Sequence, residues 1–221
     1  MKTCIMSTAY IDTEPKRVLM EMWLKLNRKL SPECDIIVID STSPKKMLPL
    51  PVSSFRFDIL LNGYHHDEAA RSRRKGFEMA IGAGYDWMAY IECDLLFSKS
   101  VMPIIDKLER HKIKVAAAFE HQYQFIESQL MFYDLRYLAE IDFIKKWNWN
   151  ASKVPKFDEL RQEEFFSDEL FILPLRGMRN DIDFVTPENM RTAFKYGIDF
   201  LSHCKDPKCY DKFLEMNGIK L

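Results

Sequence analysis

The sequence predicts an α/β fold, in which a single domain is built on a mostly parallel β-sheet flanked by helices. Short apolar segments at Thr3–Met6 and Asp35–Asp40, and the opening of the Trp87–Phe97 stretch, have the composition of buried parallel strands. Segments whose apolar residues recur at helical spacing, Val18–Leu30 and Ala70–Ile81, separate these strands. Because strand and helix alternate, right-handed crossovers within one sheet are expected.

The remaining elements are predicted from apolar periodicity and from capping residues. The first helix begins after Asp12 or Thr13 and ends at Pro32. The other predicted elements, with the loops between them, are a Pro- and Ser-rich loop at Ser41–Pro51, a strand at Phe57–Leu61, a helix from Ser98 or Ser100 to Leu108, strands at Lys114–Phe119 and Gln129–Tyr133, a helix at Leu135–Lys146, a helix at Pro187–Gly197 and a last helix from Pro207 to near Asn217.

Composition bounds the function classes. The 221 residues are 47% hydrophobic and include 16 Phe, which is enough for one domain with a sizeable core. With 32 basic and 33 acidic residues, the net charge of -1 does not favour a nucleic-acid or anionic-membrane partner. Five cysteines form no disulfide framework, and no apolar run has the length of a signal peptide or a transmembrane segment. A cytoplasmic protein is therefore expected.

Two carboxylates, Glu92 and Asp94, end the apolar part of the Trp87–Phe97 stretch. Residues i and i+2 of a strand point to the same side, so both acids are expected to face one point at the carboxyl end of the sheet, where open α/β sheets bind ligands. Hard oxygen ligands suit Mg²⁺ or Mn²⁺ held jointly with substrate phosphates. The alternative is a strand end with two solvated acids.

The residues before this strand carry a resemblance to a known family. Ser72–Gly82, followed by the strand and the two acids, resembles the pattern A-R-N-x-G-x-x-x-A-x-G, strand, D-x-D of GT-A-fold glycosyltransferases, especially those similar to family 2. The positions that match this pattern are Arg73, Gly76, Ala80 and Gly82, with Glu92 and Asp94 on the D-x-D as an E-x-D variant. Arg74 stands where the family has Asn.

This resemblance implies a GT-A-like (Rossmann-like) domain over residues 1–221, with a nucleotide-binding part at about 1–100 and an acceptor part at about 101–221. It also implies a donor site. Asp40, at the end of the second strand, is expected to hold the nucleoside; the alternative is an acid that caps the turn after it. Arg73 is expected to meet the diphosphate or an acid at the sheet edge. Thr8, Tyr10, Glu92 and Lys205 are assigned to the same donor site.

The metal ligands implied by the resemblance are Asp94, Glu92 and His203. A late His joins the D-x-D acid on the cation in many enzymes of this fold, and imidazole suits Mn²⁺. The alternative is that a lone His has a structural role. Zinc is disfavoured, because no second Cys or His pair stands at finger spacing from His203 and Cys204.

The acidic run Phe165–Phe171 resembles the late acidic motif of inverting enzymes with this fold. Asp168, with Glu169 second, is expected to act as the general base that takes the proton of the acceptor hydroxyl. The alternative is the start of a solvated amphipathic helix.

The function implied is a metal-dependent, inverting glycosyltransferase that moves a sugar from a nucleoside-diphosphate sugar to a hydroxyl of a glycan or glycoconjugate. Neither G-x-G-x-x-G nor G-x-x-x-x-G-K-[ST] occurs, which disfavours a dinucleotide-binding enzyme and a P-loop ATPase. A sugar-1-phosphate nucleotidyltransferase is disfavoured because its glycine-rich signature is absent from Thr3–Lys16. A non-catalytic nucleotide- or glycan-binding module on the same fold stays open, given the E-x-D variant and Arg74.

Overall fold

The computed structural model describes residues 1–41, 56–57, 65–120, 125–147, 165–179, 198–204 and 207–221. Strands and helices alternate through the first half, as predicted. The strands are β1 (Thr3–Ala9), β2 (Asp35–Ser41), β3 (Arg56–Phe57), β4 (Trp87–Ile91), β5 (Leu96–Phe97), β6 (Val115–Glu120), β7 (Phe125–Asp134), β8 (Leu170–Leu173), β9 (Gly177–Arg179) and β10 (Phe200–Ser202). The helices are α1 (Glu14–Leu30), α2 (His65–Gly82), α3 (Met102–Arg110), α4 (Leu135–Glu140), α5 (Phe143–Lys146) and α6 (Pro207–Met216).

The main sheet has seven strands in the order β3-β2-β1-β4-β7-β6-β8. Strands β3, β2, β1 and β4 are mutually parallel. Strand β7 runs antiparallel to both of its neighbours, β4 and β6, while β8 is parallel to β6. A smaller sheet, in the order β5-β10-β9, lies beside the E-x-D segment. The mostly parallel sheet that the sequence predicts is confirmed, with β7 as its exception.

Apolar cores cover both faces of the main sheet, which is why its central strands lack polar alternation. One core joins the sheet to α1, α3 and α6, through residues such as Trp23, Ile105 and Phe213. The other joins it to α2, α4 and α5, through residues such as Phe77 and Leu138. Helices therefore pack on both faces, and the edges of the sheet are left to carry polar chemistry.

Three elements differ from their predictions. Strand β4 ends at Ile91, so Glu92 and Asp94 belong to the turn after it. The predicted helix Leu135–Lys146 is two helices, because Asp142 takes a left-handed φ of 55° between them. The acidic run around Asp168, for which a helix start was only the alternative interpretation, leads into edge strand β8, which was not predicted.

Two predicted elements, the loop at 42–51 and the helix at 187–197, lie outside the described residues. All five cysteines are free thiols. Within the described part of the chain, no helix has the length and apolarity needed to cross a membrane.

Gly177 on β9 packs directly against the Phe200 ring on β10, so a side chain at this position is expected to lower stability. A Cβ at this position would lie 1.7 Å from Cζ of the buried Phe200 ring, its neighbour in register on β10. Gly177→Ala should therefore force the ring aside and lower the free energy of unfolding by about 1–3 kcal/mol in a urea titration. Gly82→Ala is the matched control, since a Cβ there meets nothing within 4 Å. Equal effects of the two substitutions would contradict the prediction.

Candidate active site at the carboxyl edge of the sheet

The carboxyl ends of β1, β2 and β4 meet at one edge of the main sheet, called here the carboxyl edge. Parallel pairing sets this arrangement: Ala9 on β1 is level with Asp40 on β2, and Met6 on β1 is level with Tyr90 on β4. Strand β7 is antiparallel to β4, so its amino-terminal half approaches this edge, with Leu130 opposite Ile91. The edge therefore collects residues from both halves of the sequence.

Helix α2 lies unusually close to the sheet, and this closeness positions Arg73. A Cβ at Gly76 would lie 2.7 Å from Cε and 2.8 Å from Sδ of Met6 on β1. Phe77 and Ala80, on the same side of the helix, are buried in the core beneath it. The glycine that matches the family pattern thus permits a close approach, and it brings Arg73, almost one turn earlier, over the end of β4.

Arg73, Tyr90 and Glu92 form a hydrogen-bonded cluster at the carboxyl edge. The Arg73 guanidinium forms an ion pair with Oε1 of Glu92, and its Nε donates a hydrogen bond of 2.7 Å to the Tyr90 hydroxyl. That hydroxyl donates 2.6 Å to the same Glu92 oxygen. The Arg73 guanidinium also lies 4.9 Å from the centre of the Tyr90 ring, as a cation–π contact. The Thr8 side chain adds a further hydrogen bond to the Tyr90 phenol.

Electrostatics fix the protonation states within this cluster. Burial raises the pKa of the Tyr90 phenol well above its ordinary value, so it stays protonated and donates. Burial alone would also raise the pKa of Glu92, but the charge of Arg73 and the hydrogen bonds from Tyr90 and Arg73 hold it below its ordinary value. Glu92 is therefore an ionised carboxylate whose charge Arg73 balances.

Gln129 on β7 holds the other oxygen of Glu92. Its Nε2 donates a hydrogen bond of 2.8 Å to Oε2 of Glu92, and its backbone oxygen accepts 3.0 Å from the Glu92 amide. Both oxygens of Glu92 are thus engaged by protein donors. In the turn that follows, the backbone amide of Leu95 donates a 2.9 Å hydrogen bond to the backbone oxygen of Glu92. The Glu92 backbone amide still pairs with Gln129 on β7, so Tyr90 and Glu92 keep the same-side relation of a strand, whereas Asp94 lies in the turn.

Asp94 instead meets His203, which arrives from the far end of the chain. Nδ1 of His203 lies 4.0 Å from Oδ2 of Asp94, with side chains 22% and 28% exposed. The Cys204 amide donates 2.7 Å to the Asp94 backbone oxygen, and the buried Tyr210 hydroxyl on α6 donates 3.4 Å to that of Cys93. His203 takes a left-handed φ of 55°, a costly conformation for a side-chain-bearing residue and one that concentrates at functional sites.

The donor set for a cation at this edge consists of one carboxylate and one imidazole. Asp94 and His203, which the resemblance assigns to the metal, are brought together, while Glu92 is committed to Arg73, Tyr90 and Gln129. Within the described ranges, no group of three or more His, Cys, Asp or Glu side chains is arranged to hold a metal ion. A cation here would need further oxygen ligands from its substrate, as Mg²⁺ commonly does.

The other donor-site residues of the sequence prediction lie at or near the same edge. Asp40 is buried at the end of β2, and Thr8 lies near the end of β1, half-buried beside Tyr90. Tyr10 follows β1, and its ring centre lies 5.5 Å from Nζ of Lys16. Lys205 lies outside the described residues.

Asp168 and Glu169 are placed at the opposite edge. Leu170, directly after them, is level with Val115 on β6, which is level with Tyr133 and, across β7, with Met88 at the amino end of β4. Leu170 is thus separated from Glu92 by roughly 13 Å along the strands and roughly 14 Å across them. Both acids are exposed, and Glu169 hydrogen-bonds Tyr137 on α4. The structure does not bring these acids to the carboxyl edge.

Three residues that lie at the carboxyl edge were not assigned to the site by the sequence analysis. Tyr90 stands two residues before Glu92 on the same strand face, which was a usable signal. Gln129 is a polar residue that opens a predicted strand. Lys16, in the first turn of α1, pairs with Asp12 at 2.8 Å, and its charge acts on the Cys93 thiol in the E-x-D turn. No local pattern in the sequence indicated that Gln129 or Lys16 would reach this edge.

Comparison with known proteins identifies the fold. No protein-family model matches the chain, and no curated protein matches it by sequence. A glycosyltransferase involved in glycosylation of the major capsid of PBCV-1 superposes with a TM-score of 0.59 at 12% identity, covering 99% of this chain and 100% of that one. The galactosyltransferase LgtC, solved with donor and acceptor sugar analogues, gives 0.56 at 13% identity, covering 97% and 95%.

The bifunctional glycosyltransferase WbbM gives a TM-score of 0.63 at 12% identity, and the match covers 98% of this chain and 49% of that protein. These similarities extend over nearly the whole of the present chain, and the identities are too low to transfer an activity. The chain has a GT-A-like glycosyltransferase fold.

Proposed function

We propose that this protein is a metal-dependent glycosyltransferase that moves a sugar from a nucleoside-diphosphate sugar to a hydroxyl of a glycan or glycoconjugate. The observation that carries the proposal is the meeting of Asp94 and His203 beside the Arg73–Glu92 ion pair, on the ligand-binding edge of a GT-A-like fold. LgtC, which shares this fold, has been solved with donor and acceptor sugar analogues.

Asp94 and His203 fit a divalent cation by the chemistry of their donor atoms. A carboxylate oxygen and an imidazole nitrogen suit Mn²⁺, and a site with only two protein ligands leaves positions for diphosphate oxygens. When bound, the cation would stabilise the charge of the departing nucleoside diphosphate. The left-handed backbone of His203 supports this role, because it costs stability in a turn that docks against Asp94.

Arg73 is proposed to meet the diphosphate, and Glu92 to hold Arg73 in place. The guanidinium is fixed in direction by the Tyr90 hydroxyl and by Glu92, so little side-chain entropy is lost when it meets an anion. Glu92 acts through Arg73 in this proposal, because both of its oxygens accept hydrogen bonds from the protein.

The nucleoside is proposed to lie along the ends of β1 and β2, against Thr8, Tyr10 and Asp40. A carboxylate such as Asp40 accepts hydrogen bonds from a base N–H or from ribose hydroxyls. Since β7 and His203 also reach the edge, the second half of the chain would contribute to donor binding as well as to the acceptor side.

The first prediction tests the cation and the nucleotide together. In a thermal-shift series with UDP, GDP and dTDP, at least one should stabilise the protein far more with Mn²⁺ than with EDTA, since a ligand that binds only the folded state raises its stability. Asp94→Asn should lose the Mn²⁺-dependent part of the shift. Asp106→Asn, at an exposed position on α3, is the matched control and should keep it.

Two results would count against this scheme. Equal shifts in Mn²⁺ and EDTA would remove the cation from nucleotide binding. Nucleotide binding without release of nucleoside diphosphate from UDP- and GDP-sugars, tested with added glycan acceptors, would favour the non-catalytic module.

The second prediction separates the roles of Arg73 and Glu92. Arg73→Met should weaken nucleoside-diphosphate binding by roughly 10- to 100-fold, because a charge-assisted contact to the diphosphate is lost. Glu92→Gln should weaken it less, with the Mn²⁺ dependence retained. Titration calorimetry in Mn²⁺ and in EDTA measures both quantities. Arg74→Met is the control, since Arg74 is exposed and pairs with Glu78 at 2.9 Å. If Glu92→Gln abolishes the Mn²⁺ effect as Asp94→Asn does, Glu92 ligates the cation.

The third prediction concerns the acids at the opposite edge. Asp168→Asn and Glu169→Gln should keep the rate of nucleoside-diphosphate release from a sugar nucleotide within about 2-fold of wild type, because neither group reaches the carboxyl edge. Loss of a general base typically costs on the order of 10²-fold or more. A loss of that size in Asp168→Asn, with nucleotide binding intact, would restore it as the base.

A further inference from the structure

Gln129 has a buried polar atom that the protein leaves without a hydrogen bond. The residue is 7% exposed, and its Oε1 is shielded from solvent and accepts no hydrogen bond from any described residue. Buried amide oxygens are nearly always paired with a protein donor or with ordered water, and an unpaired one costs stability. Such an atom at a ligand-binding edge indicates a hydrogen bond that is completed by something else.

The orientation of the Gln129 amide is fixed by its neighbour. Nε2 donates 2.8 Å to Oε2 of Glu92, whose other carboxyl oxygen pairs with Arg73. A flipped amide would place its oxygen against that carboxylate and lose the donor. The side-chain atom of Gln129 without a partner is therefore Oε1, which can only accept a hydrogen bond.

The surroundings select the chemistry of the missing donor. The Gln129 side chain donates to Glu92, and its backbone N–H donates 3.1 Å to the carboxyl group of buried Glu127, so two acids lie beside this residue. Acceptor oxygens dominate this position and would repel a phosphate, whereas a hydroxyl group can donate to them.

We propose that Oε1 of Gln129 accepts a hydrogen bond from a hydroxyl of the donor substrate, and that this hydroxyl belongs to the transferred sugar. This inference rests on the proposed function. Gln129 lies near the middle of β7, level with the residue that follows β4, and its backbone oxygen accepts a hydrogen bond from the Glu92 backbone amide at the beginning of the turn that carries Asp94. A sugar attached to a diphosphate between Arg73 and Asp94 would lie within reach of this position. The ribose of the nucleoside is the other source of such a hydroxyl, and the experiment separates the two.

The test compares sugar nucleotides with their parent nucleotides on the 221-residue protein in Mn²⁺. Dissociation constants for UDP-glucose, UDP-galactose and UDP, and for GDP-mannose and GDP, are measured by titration calorimetry on wild type and two variants. Gln129→Lys keeps a nitrogen donor toward Glu92 and removes the oxygen. Gln129→Met removes both while keeping the length of the side chain. Ser128→Ala is the matched control, since Ser128 is also a buried polar residue and neighbours Gln129 on the same strand.

We expect both variants to bind the preferred sugar nucleotide roughly 5- to 10-fold more weakly, as for one lost hydrogen bond, and the nucleoside diphosphate within about 2-fold of wild type. An equal loss for both ligands in Gln129→Lys would overturn the sugar assignment in favour of a ribose hydroxyl. Unchanged constants in both variants would overturn the proposal and leave the oxygen to a bound water. If wild type binds none of these nucleotides, the proposed function itself fails, which is a different result from a Gln129 variant that binds as wild type does.

Discussion

Glu92 brings a negative charge to a half-buried position at the end of β4, and the organisation of the carboxyl edge depends on the balance of that charge by Arg73. Transferring a carboxylate out of water costs several kcal/mol by general estimates, and an ion pair offsets this only when the remaining hydrogen-bonding positions are also satisfied. Here Tyr90 and Gln129 supply those hydrogen bonds. One side chain therefore connects helix α2, strand β4 and strand β7. The close approach of α2 at Gly76 matters for the same reason, because it brings Arg73 within reach.

The two acids of the E-x-D segment have different partners, although the sequence pattern assigned both to the metal. Glu92 pairs with Arg73, and Asp94 lies beside His203. Glutamate and aspartate differ by one methylene, and the longer Glu92 side chain reaches Arg73 and Gln129 while Asp94 lies beside His203. The division follows from the end of the strand at Ile91, since a turn does not keep residues i and i+2 on one side. An acid that organises the site and an acid available to a cation then stand two residues apart.

The sequence was most informative where a signal was local. Apolar runs predicted β1, β2 and β4, and the Ser72–Asp94 pattern predicted the GT-A-like fold and the position of Arg73. Long-range register was beyond such signals: that β7 enters the sheet antiparallel, so that Gln129 reaches Glu92, depends on pairing over 37 residues of sequence. The pairing of β8 with β6, which carries Asp168 away from the site, is non-local in the same way. The composition of an acidic run therefore does not show where the run lies in the fold, because that depends on which strand the neighbouring segment pairs with.

The amino end of β4, called here the amino edge of the sheet, shows how this fold satisfies a buried acid, since Asp134 on β7 lies opposite Trp87 there. At the amino edge, Asp134 accepts hydrogen bonds from two amides at the start of α4 and from the side chains of Lys114 and Arg136. Although burial would raise the pKa of Asp134, these contacts hold it below its ordinary value. Near them, Phe165 and Phe166 pack against Trp147 and close the edge with aromatic rings.

At the carboxyl edge, His203 and Gln129 carry features that also occur elsewhere in the described chain, at Lys112, Asp142 and Thr3, so it is their position at the ligand-binding ends of the strands that gives them weight. His203 takes a left-handed backbone and Gln129 leaves a buried oxygen without a described donor. Unmade hydrogen bonds and strained residues persist where a ligand completes them or where the geometry serves binding. The chemistry of this protein is therefore to be sought between Arg73, Gln129, Asp94 and His203.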